Sequence, residues 1–595
     1  MPLREEMARE RREKTSTLPT ASHPYFYKKE VLHPMTKRLN QQTSQRLIIT
    51  LSILFPTCWL YLPNLIILYY NNDFGLSLKS IGLLLTIFCT LPLTLLFAKN
   101  LRQFWWLNLP FATFAGFYAA YIAYYHDIPY DGIWFALWNT SLDTIRGVTY
   151  FFRWLIFPGL IGVALYCLCA LHPIQKKITF SRSLKQYYFL SSLACIAILI
   201  NITNFYSHKI PIQRVIDESV AFKNYPYGML FMLGKTRVAF SKKQNITLQP
   251  LHRSHIPNGR EIYVFVIGEA ARYDYWLKVS RDNHSSLLTD PNIVIFPKTA
   301  SQANLTSISL PVLLTGTSTM ADAQTHPIWP AIAKAAGCTT GWMTNSTEPY
   351  NYAYDNDFYD LNVDRHSLVG LSAVVYDDVL ASEVQRAITQ GAEKLCLVVH
   401  LIGSHFDYSE RYRADLAKYP VDRNAFYHFS SSDHLESLRN AYLNSLVETN
   451  ILLQHLTQIL AKENAVSFLL YTSDHAESFN DDDKHQFFHG NISPGQIEMH
   501  VPLFIWANTA FQNTYPEKWR ALLKNQGRNI TNQQIVPTLM DALSISSISN
   551  DLPPSLMQPY KNDPQRMVLL PQMQLVSLNS LLLSRTTEPR AGCRE

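Results

Sequence analysis

The sequence predicts a two-part molecule: an α-helical domain that spans a membrane five times, then an α/β domain built on a central, mostly parallel sheet. Three observations carry this expectation. Five stretches between residues 47 and 206 are apolar enough to cross a bilayer. From residue 260 onward, apolar runs of strand length alternate with longer segments of helical period. Those runs are apolar on both faces, as strands covered by helices on two sides must be. At 595 residues the chain also exceeds what one hydrophobic core supports, so at least two structural units are expected.

The apolar stretches are 47–70, about 80–98, 104–125, 154–172 and 187–206, and none contains an Asp, Glu, Lys or Arg. Buried core helices of a soluble protein account for one or two such stretches, not five in succession joined by short polar connections. The basic residues set the orientation. Ten Lys and Arg precede residue 47, and Lys176, Lys177, Arg182 and Lys185 lie between spans four and five, whereas the first connection offers only Lys79. The N-terminal tail, 1–46, is therefore expected in the cytoplasm, and an odd number of spans puts everything after residue 206 on the outer side, in a bacterium the periplasm. No cleavable signal peptide is visible, so span one is expected to act as an uncleaved anchor. The basic tail is mixed with five Glu and accompanied by no base-reading motif, which gives nucleic-acid binding no support.

Five of the eight cysteines (Cys58, Cys89, Cys167, Cys169, Cys195) lie in the spans, leaving Cys338, Cys396 and Cys593. That is no disulfide framework, and no pair has zinc-ligand spacing. The aromatic connection 126–153 is expected to lie along the outer interface. Residues 207–259 read as a bridge along the membrane surface that hands over to a soluble domain, 260–595.

Within that domain the runs 262–267, 394–402, 466–471 and 501–506 read as strands, and 436–463 repeats its apolar residues at helical spacing. The residues at the strand ends matter more. The first strand runs into Gly268-Glu269, the second into "HLIGSH" with His400 and His405, and the third into "TSDH" with Asp474 and His475. Ligands of open α/β sheets bind at the carboxyl ends of the strands, so these endings can converge. Glu, Asp and His make an oxygen and nitrogen donor set that suits zinc or manganese. Singly, Glu269 reads as a helix cap, His400 as a core histidine and Asp474 as an N-cap; their joint placement at strand ends favours a site, with His400 a candidate substrate contact.

Chemistry also needs a nucleophile. The hydroxyl-rich loop 299–316 turns apolar as it enters a helix near Ser307, where the helix dipole and a metal would together favour an alkoxide. The residues themselves leave Ser301, Thr306, Ser307 and Ser309 open as candidates.

The five N-terminal spans and then, in order, "IGEAAR", "LTSISLP", "HLIGSH", "SDHAES" and "FFHG" resemble the bacterial phosphoethanolamine transferases of the alkaline phosphatase and sulfatase superfamily. The resemblance covers most of the chain from residue 47. It implies an alkaline-phosphatase-like fold for the soluble domain and a metal set of Glu269, Thr306, Asp474 and His475. It further implies phosphoryl contacts from His405 and His489, with His485 a near rival that lacks the following glycine. The implied enzyme is a metal-dependent transferase, with Zn2+ as the metal or Mn2+ in its place. It sits in the inner membrane as a monomer with its catalytic domain periplasmic. Thr306 would take phosphoethanolamine from phosphatidylethanolamine, release diacylglycerol, and pass the group to lipid A, lipopolysaccharide core or another envelope glycan.

Departures from the family pattern are specific. No Cys lies between 196 and 337, the motif reads "DHAES" with Ala476 for Gly, and Arg413 replaces the usual Pro after "RY". The outer loop "WNTSLDTIRG" offers Asn139, Asp143 and Thr144 as donor contacts without the family's Glu. The alternatives are a phosphoglycerol transferase of the lipoteichoic-acid type, which "GSH" and "SDHAES" disfavour, and a phosphatase or sulfatase, whose Cys-x-Pro-x-Arg string is missing. A non-catalytic membrane sensor or scaffold would be expected to have lost a ligand position, and all four are filled.

Overall fold

The computed structural model describes residues 29–70, 94–125, 153–207, 225, 229, 246, 248–345, 363–368, 376–423, 432–481, 486–545, 548, 552–559 and 565–583. The expectations at Asn139, Asp143, Thr144 and His485 lie outside these residues, as do most of the second apolar stretch and most of the bridge at 207–259.

Four of the five apolar stretches coincide with described helices: α1 (Lys29–Tyr70), α2 (Leu109–Tyr125), α3 (Arg153–Leu171) and α4 (Arg182–Ser207). By length and composition alone, Thr43–Ile67 is the one candidate span among the described residues, and Leu109–Ala123 and Ile156–Leu171 are shorter apolar helices. Helices α1, α2 and α3 pack on one another. Close approach requires small residues: a Cβ at Gly162 would stand 2.0 Å from the Trp59 ring. The outward faces carry Leu51, Phe157, Leu160 and Leu168, each more than half exposed. All the large exposed apolar side chains described lie between residues 47 and 193, save Ile256, Leu523 and Leu575. An apolar exterior confined to one helical unit is what a lipid-facing surface requires.

The second unit is built on a seven-stranded sheet, with strands β1 (Glu261–Gly268), β2 (Ile293–Ile295), β3 (Thr339–Thr344), β4 (Arg365–Leu368), β5 (Lys394–His400), β6 (Val466–Ser473) and β7 (Leu503–Ala507). Their spatial order is β2-β7-β6-β1-β5-β3-β4. All neighbours pair in parallel except β7, which is antiparallel to both β6 and β2. The alternation along β1 explains its unbroken apolar sequence. Tyr263, Phe265 and Ile267 enter one core with Phe468 and Val398, while Ile262, Val264 and Val266 enter another with Leu469 and Leu397. Each face is covered, the first by α6 (Thr306–Thr315), α7 (Trp329–Ala335) and α11 (Ile535–Ala542), the second by α5 (Tyr273–Asp282), α8 (Val379–Thr389) and α9 (Ser432–Ala461). The four strands expected from composition are present with ends shifted by up to two residues; β2, β3 and β4 were not expected, being short or, like "TTGWMT", too polar to register as apolar runs.

At its entrance the sheet is pinned by a buried ion pair. Arg253 Nη1 donates to Glu261 Oε1 at 3.0 Å, and the Tyr263 hydroxyl donates to Glu261 Oε2 at 2.8 Å. Cys338 and Cys396 are buried and unbridged, in line with the absence of a disulfide framework.

Candidate active site

Register builds the site. Parallel neighbours β1 and β6 are paired so that Gly268 faces Ser473, the last residue of each strand. Glu269 and Asp474 therefore leave the sheet side by side. Gly268 is required there, because a Cβ would lie 2.8 Å from the Tyr471 hydroxyl. Ala270, at φ 57°, then turns the chain so that its N–H meets Asp474 Oδ1 at 3.1 Å. The His475 N–H donates to the same oxygen at 2.7 Å, which leaves Oδ2 facing the Ser309 hydroxyl at 3.3 Å.

Glu269, Asp474 and His475 are all buried, and one ligand atom of each lies within 4.8 Å of the others. Thr306, the first residue of α6, brings its hydroxyl to this group, with Oγ1 3.0 Å from Glu269 Oε1 and 2.9 Å from His475 Nε2. His475 Nδ1 lies 3.1 Å from the Ala476 carbonyl, which only accepts, so the ring proton sits on Nδ1 and the Nε2 lone pair faces inward when the imidazole is neutral. One carboxylate and one imidazole nitrogen thus converge on a single hydroxyl, with more lone pairs than that proton can satisfy, and Asp474 Oδ2 lies 3.4 Å from the same His475 Nε2. Asp474 faces no Lys or Arg at ion-pair distance among the described residues, though it is 0 % exposed. Buried anionic groups so arranged fit a divalent cation, which Glu269, Asp474, His475 and Thr306 are placed to hold.

Among the four hydroxyls left open by the sequence, Thr306 alone contacts two members of the group. The Ser301 hydroxyl is spent on the Ala303 carbonyl at 2.9 Å, Ser309 reaches only Asp474, and Ser307 is buried away from these partners. Helix α6 begins at Thr306, one residue earlier than expected, so Oγ1 stands at the positive end of the helix dipole.

His489 packs against His475 with ring centroids 4.0 Å apart. Its Nδ1 donates to Glu477 Oε1 at 2.9 Å, leaving Nε2 for a substrate. Glu477 is not among the residues that the sequence singles out, although it is the Glu of "SDHAES": in that string it looks like one more acidic residue, and only folding shows it 0 % exposed beneath His489. Gly490 is left-handed at φ 73° and donates to the Asn304 carbonyl at 2.7 Å, which ties the histidine loop to the loop of Thr306.

The His405 turn also packs on the site. Ser404 N donates to the Glu269 carbonyl at 3.0 Å, and a Cβ on Gly403 would meet the Glu269 backbone at 2.8 Å. Asp377 underpins this turn by accepting from Gly403 N at 2.8 Å and Ile402 N at 3.1 Å. Burial pushes its carboxyl up to about 6, and those two backbone donors hold it from rising further. His400 is 1 % exposed and edge-on to Trp342, a core setting rather than a substrate surface. Two sequence departures are accommodated. Ala476 has no left-handed φ, so the usual glycine is not required there, and Arg413 pairs with Asp378 Oδ2 at 3.1 Å and Glu448 Oε1 at 3.6 Å.

Residues 261–545, from the first residue of β1 to just beyond α11, match the Sulfatase family model. Over these residues the chain is similar to the Sulfatase family. Among curated proteins the chain is 25% identical over 345 residues to phosphoethanolamine transferase EptC of Escherichia coli K12, covering 55% of this chain and 58% of that protein. It is 24% identical to phosphoethanolamine transferase EptA of Helicobacter pylori, over 45% of this chain and 52% of that one. The match thus spans little more than half the length of these relatives. Over that span the chain is similar to proteins named phosphoethanolamine transferases. Its fold is shared with the integral membrane lipooligosaccharide phosphoethanolamine transferase A of Neisseria meningitidis, at TM-score 0.56 and 17% identity, over 84% of this chain and 96% of that one. The periplasmic domain of E. coli EptC, solved as a complex with Zn, superposes at TM-score 0.50 and 21% identity over 56% of this chain and 97% of that domain.

Proposed function

We propose that this chain transfers phosphoethanolamine from phosphatidylethanolamine to an envelope glycolipid or glycan, through a covalent intermediate on Thr306. The observation that carries the reading is the Thr306 hydroxyl, set at a helix start between Glu269 Oε1 and His475 Nε2. A divalent ion, zinc as in the EptC relative, supplies positive charge that lowers the pKa of the hydroxyl and offsets charge on the phosphoryl oxygens.

In the first half-reaction Thr306 Oγ1 forms a bond to phosphorus, the bond to the diacylglycerol oxygen breaks, and that oxygen takes up a proton. Phosphoethanolamine remains on Thr306. In the second, an acceptor oxygen forms the new bond to phosphorus and Thr306 Oγ1 leaves and is reprotonated. His489, oriented by Glu477, holds a phosphoryl oxygen or moves a proton at Nε2, and His405 serves the same group from the facing turn. The proposed setting is a five-span inner-membrane anchor with a cytoplasmic N-terminus and a periplasmic catalytic domain, an arrangement in which the donor never leaves the bilayer.

The test is incubation with phosphatidylethanolamine and no acceptor. A burst of diacylglycerol is expected, with phosphoethanolamine on the peptide containing "ANLTSISLP"; Thr306→Ala should give neither, and Thr306→Ser should keep part of the burst. An adduct on Ser307 or Ser309 refutes the nucleophile. Phosphoglycerol on Thr306 when phosphatidylglycerol is offered beside phosphatidylethanolamine replaces the donor and keeps the mechanism.

A further inference from the structure

Glu498, in the short helix α10 (Gln496–Met499), lies outside the metal set and is 0 % exposed. Its Oε2 accepts from Asn304 Nδ2 at 2.8 Å, and its Oε1 accepts from Asn491 Nδ2 at 2.6 Å and from Ser478 Oγ at 3.4 Å. These partners are not scattered. Asn304 stands two residues before Thr306, Asn491 two residues after His489, and Ser478 next to Glu477. Asn304 Nδ2 also donates to the Asn491 carbonyl at 2.9 Å, and the Ala476 N–H donates to the Glu498 carbonyl at 2.9 Å.

All three side-chain partners present N–H or O–H. A carboxylate, acceptor at both oxygens, satisfies them together, whereas an amide in the same shape would turn one N–H against an asparagine N–H. Burial pushes this carboxyl up to about 7, while the bonds from Asn304 and Asn491 and the nearby His489 pull it back. Keeping an acid in such a place needs a reason, because an apolar residue would fill the volume without the desolvation cost. Neither loop it joins belongs to the central sheet: Thr306 comes after β2 through a short segment, and His489 sits on an excursion between β6 and β7. No ladder of the seven-stranded sheet sets the distance between them.

We propose that Glu498 is a positioning residue that fixes the loop of Thr306 against the loop of His489, through Asn304 and Asn491, so that hydroxyl and imidazole meet on one phosphoryl group. This rests on the reading of Thr306 as nucleophile and His489 as its phosphoryl partner. A misplacement of about 1 Å between reacting groups costs on the order of 10²-fold in rate, so the effect is large enough to measure.

The experiment uses the full chain in detergent at pH 8, with phosphatidylethanolamine and, separately, a chromogenic aryl phosphodiester. Glu498→Gln should lower kcat on the order of 10²-fold with KM and zinc content close to wild type and Tm lowered by only a few degrees. Adding Asn491→Asp to Glu498→Gln restores an acceptor opposite the new N–H, and should recover kcat at least about tenfold, a coupling that two independent lesions would not show. Unchanged kcat in Glu498→Gln overturns the proposal. So does a loss that follows zinc or Tm, or one that Asn491→Asp fails to recover. A wild-type protein that cleaves the aryl diester but not the lipid defeats the donor reading alone, and the Glu498 comparison is then read from the aryl diester.

Discussion

Asp474→Asn separates a metal site from a hydrogen-bonded cluster by the sign of its effect on stability. The two backbone donors on Oδ1, from Ala270 and His475, can hold an asparagine carbonyl in the same place. The new amide nitrogen then occupies the position of Oδ2, toward His475 and Ser309, where it offers protons instead of a lone pair. Without metal, the wild-type site keeps two carboxylates with ligand atoms within 4.8 Å. At that separation and an effective dielectric of about 20, two like charges repel by about 3.5 kcal/mol. The His475 ring and the two donors on Asp474 absorb part of this, so about 1–3 kcal/mol of stability should be gained by the chelated variant. With zinc at about 100 times the wild-type Kd, the wild type should gain about 2.7 kcal/mol. The variant should gain little. Loss of a second-shell partner weakens metal affinity 10- to 100-fold, so a lost direct ligand should cost at least about 10²-fold and leave the variant roughly 0.4 kcal/mol of zinc stabilisation. Thermal unfolding of both proteins in chelator and in zinc measures all four values. A chelated variant less stable than chelated wild type, or equal zinc gains in the two, refutes the assignment of Asp474 as a ligand.

Glu477→Gln keeps an acceptor for His489 Nδ1 and removes its charge, exchanging a charge-assisted bond for a neutral one at a cost of about 1 kcal/mol; transfer should fall roughly five- to tenfold with zinc content unchanged, and undiminished turnover would remove Glu477 from the site. Burial, opposed by Arg413, raises the Glu448 carboxyl to about 7, above its ordinary value of 4.5. The folded state therefore takes up a proton at a pH where the unfolded chain has not, and this group's contribution to stability should rise as pH falls from about 7 to about 4.5 and be lost as pH rises through that window. Glu448→Gln should remove that part of the slope in chemical denaturation series; an unaltered slope would show that Glu448 does not titrate there.

Local pattern carries far in this chain because strands and apolar helices are specified by which side chains must leave water. The unbroken apolar run of β1 already requires a sheet covered on both faces, and the charge-free stretches before residue 207 already require an apolar surround. Glu269, Asp474 and His475 could be singled out because acids and a histidine placed together at the ends of apolar strands exceed what capping requires. Short elements escaped for the converse reason: β3 and β4 gain their place from neighbours, since Gly341 meets Leu397 and pairs with Arg365 across the sheet, and neither partner is near in sequence.

The sequence by itself determined the α/β class, the strand-end acids and the hydroxyl-rich loop. It left four hydroxyls equivalent, because a hydroxyl's chemistry depends on what faces it. The tertiary structure sets Thr306 apart, as the family resemblance implied, by aligning β1 and β6 in register so that Glu269 and Asp474 emerge together, and by starting α6 at Thr306 so that its hydroxyl reaches Glu269 and His475. It alone also showed Glu477 beneath His489 and Glu498 between Asn304 and Asn491. Each of these carboxylates is defined by donors brought from distant parts of the chain, and long-range apposition leaves no local mark in the order of residues.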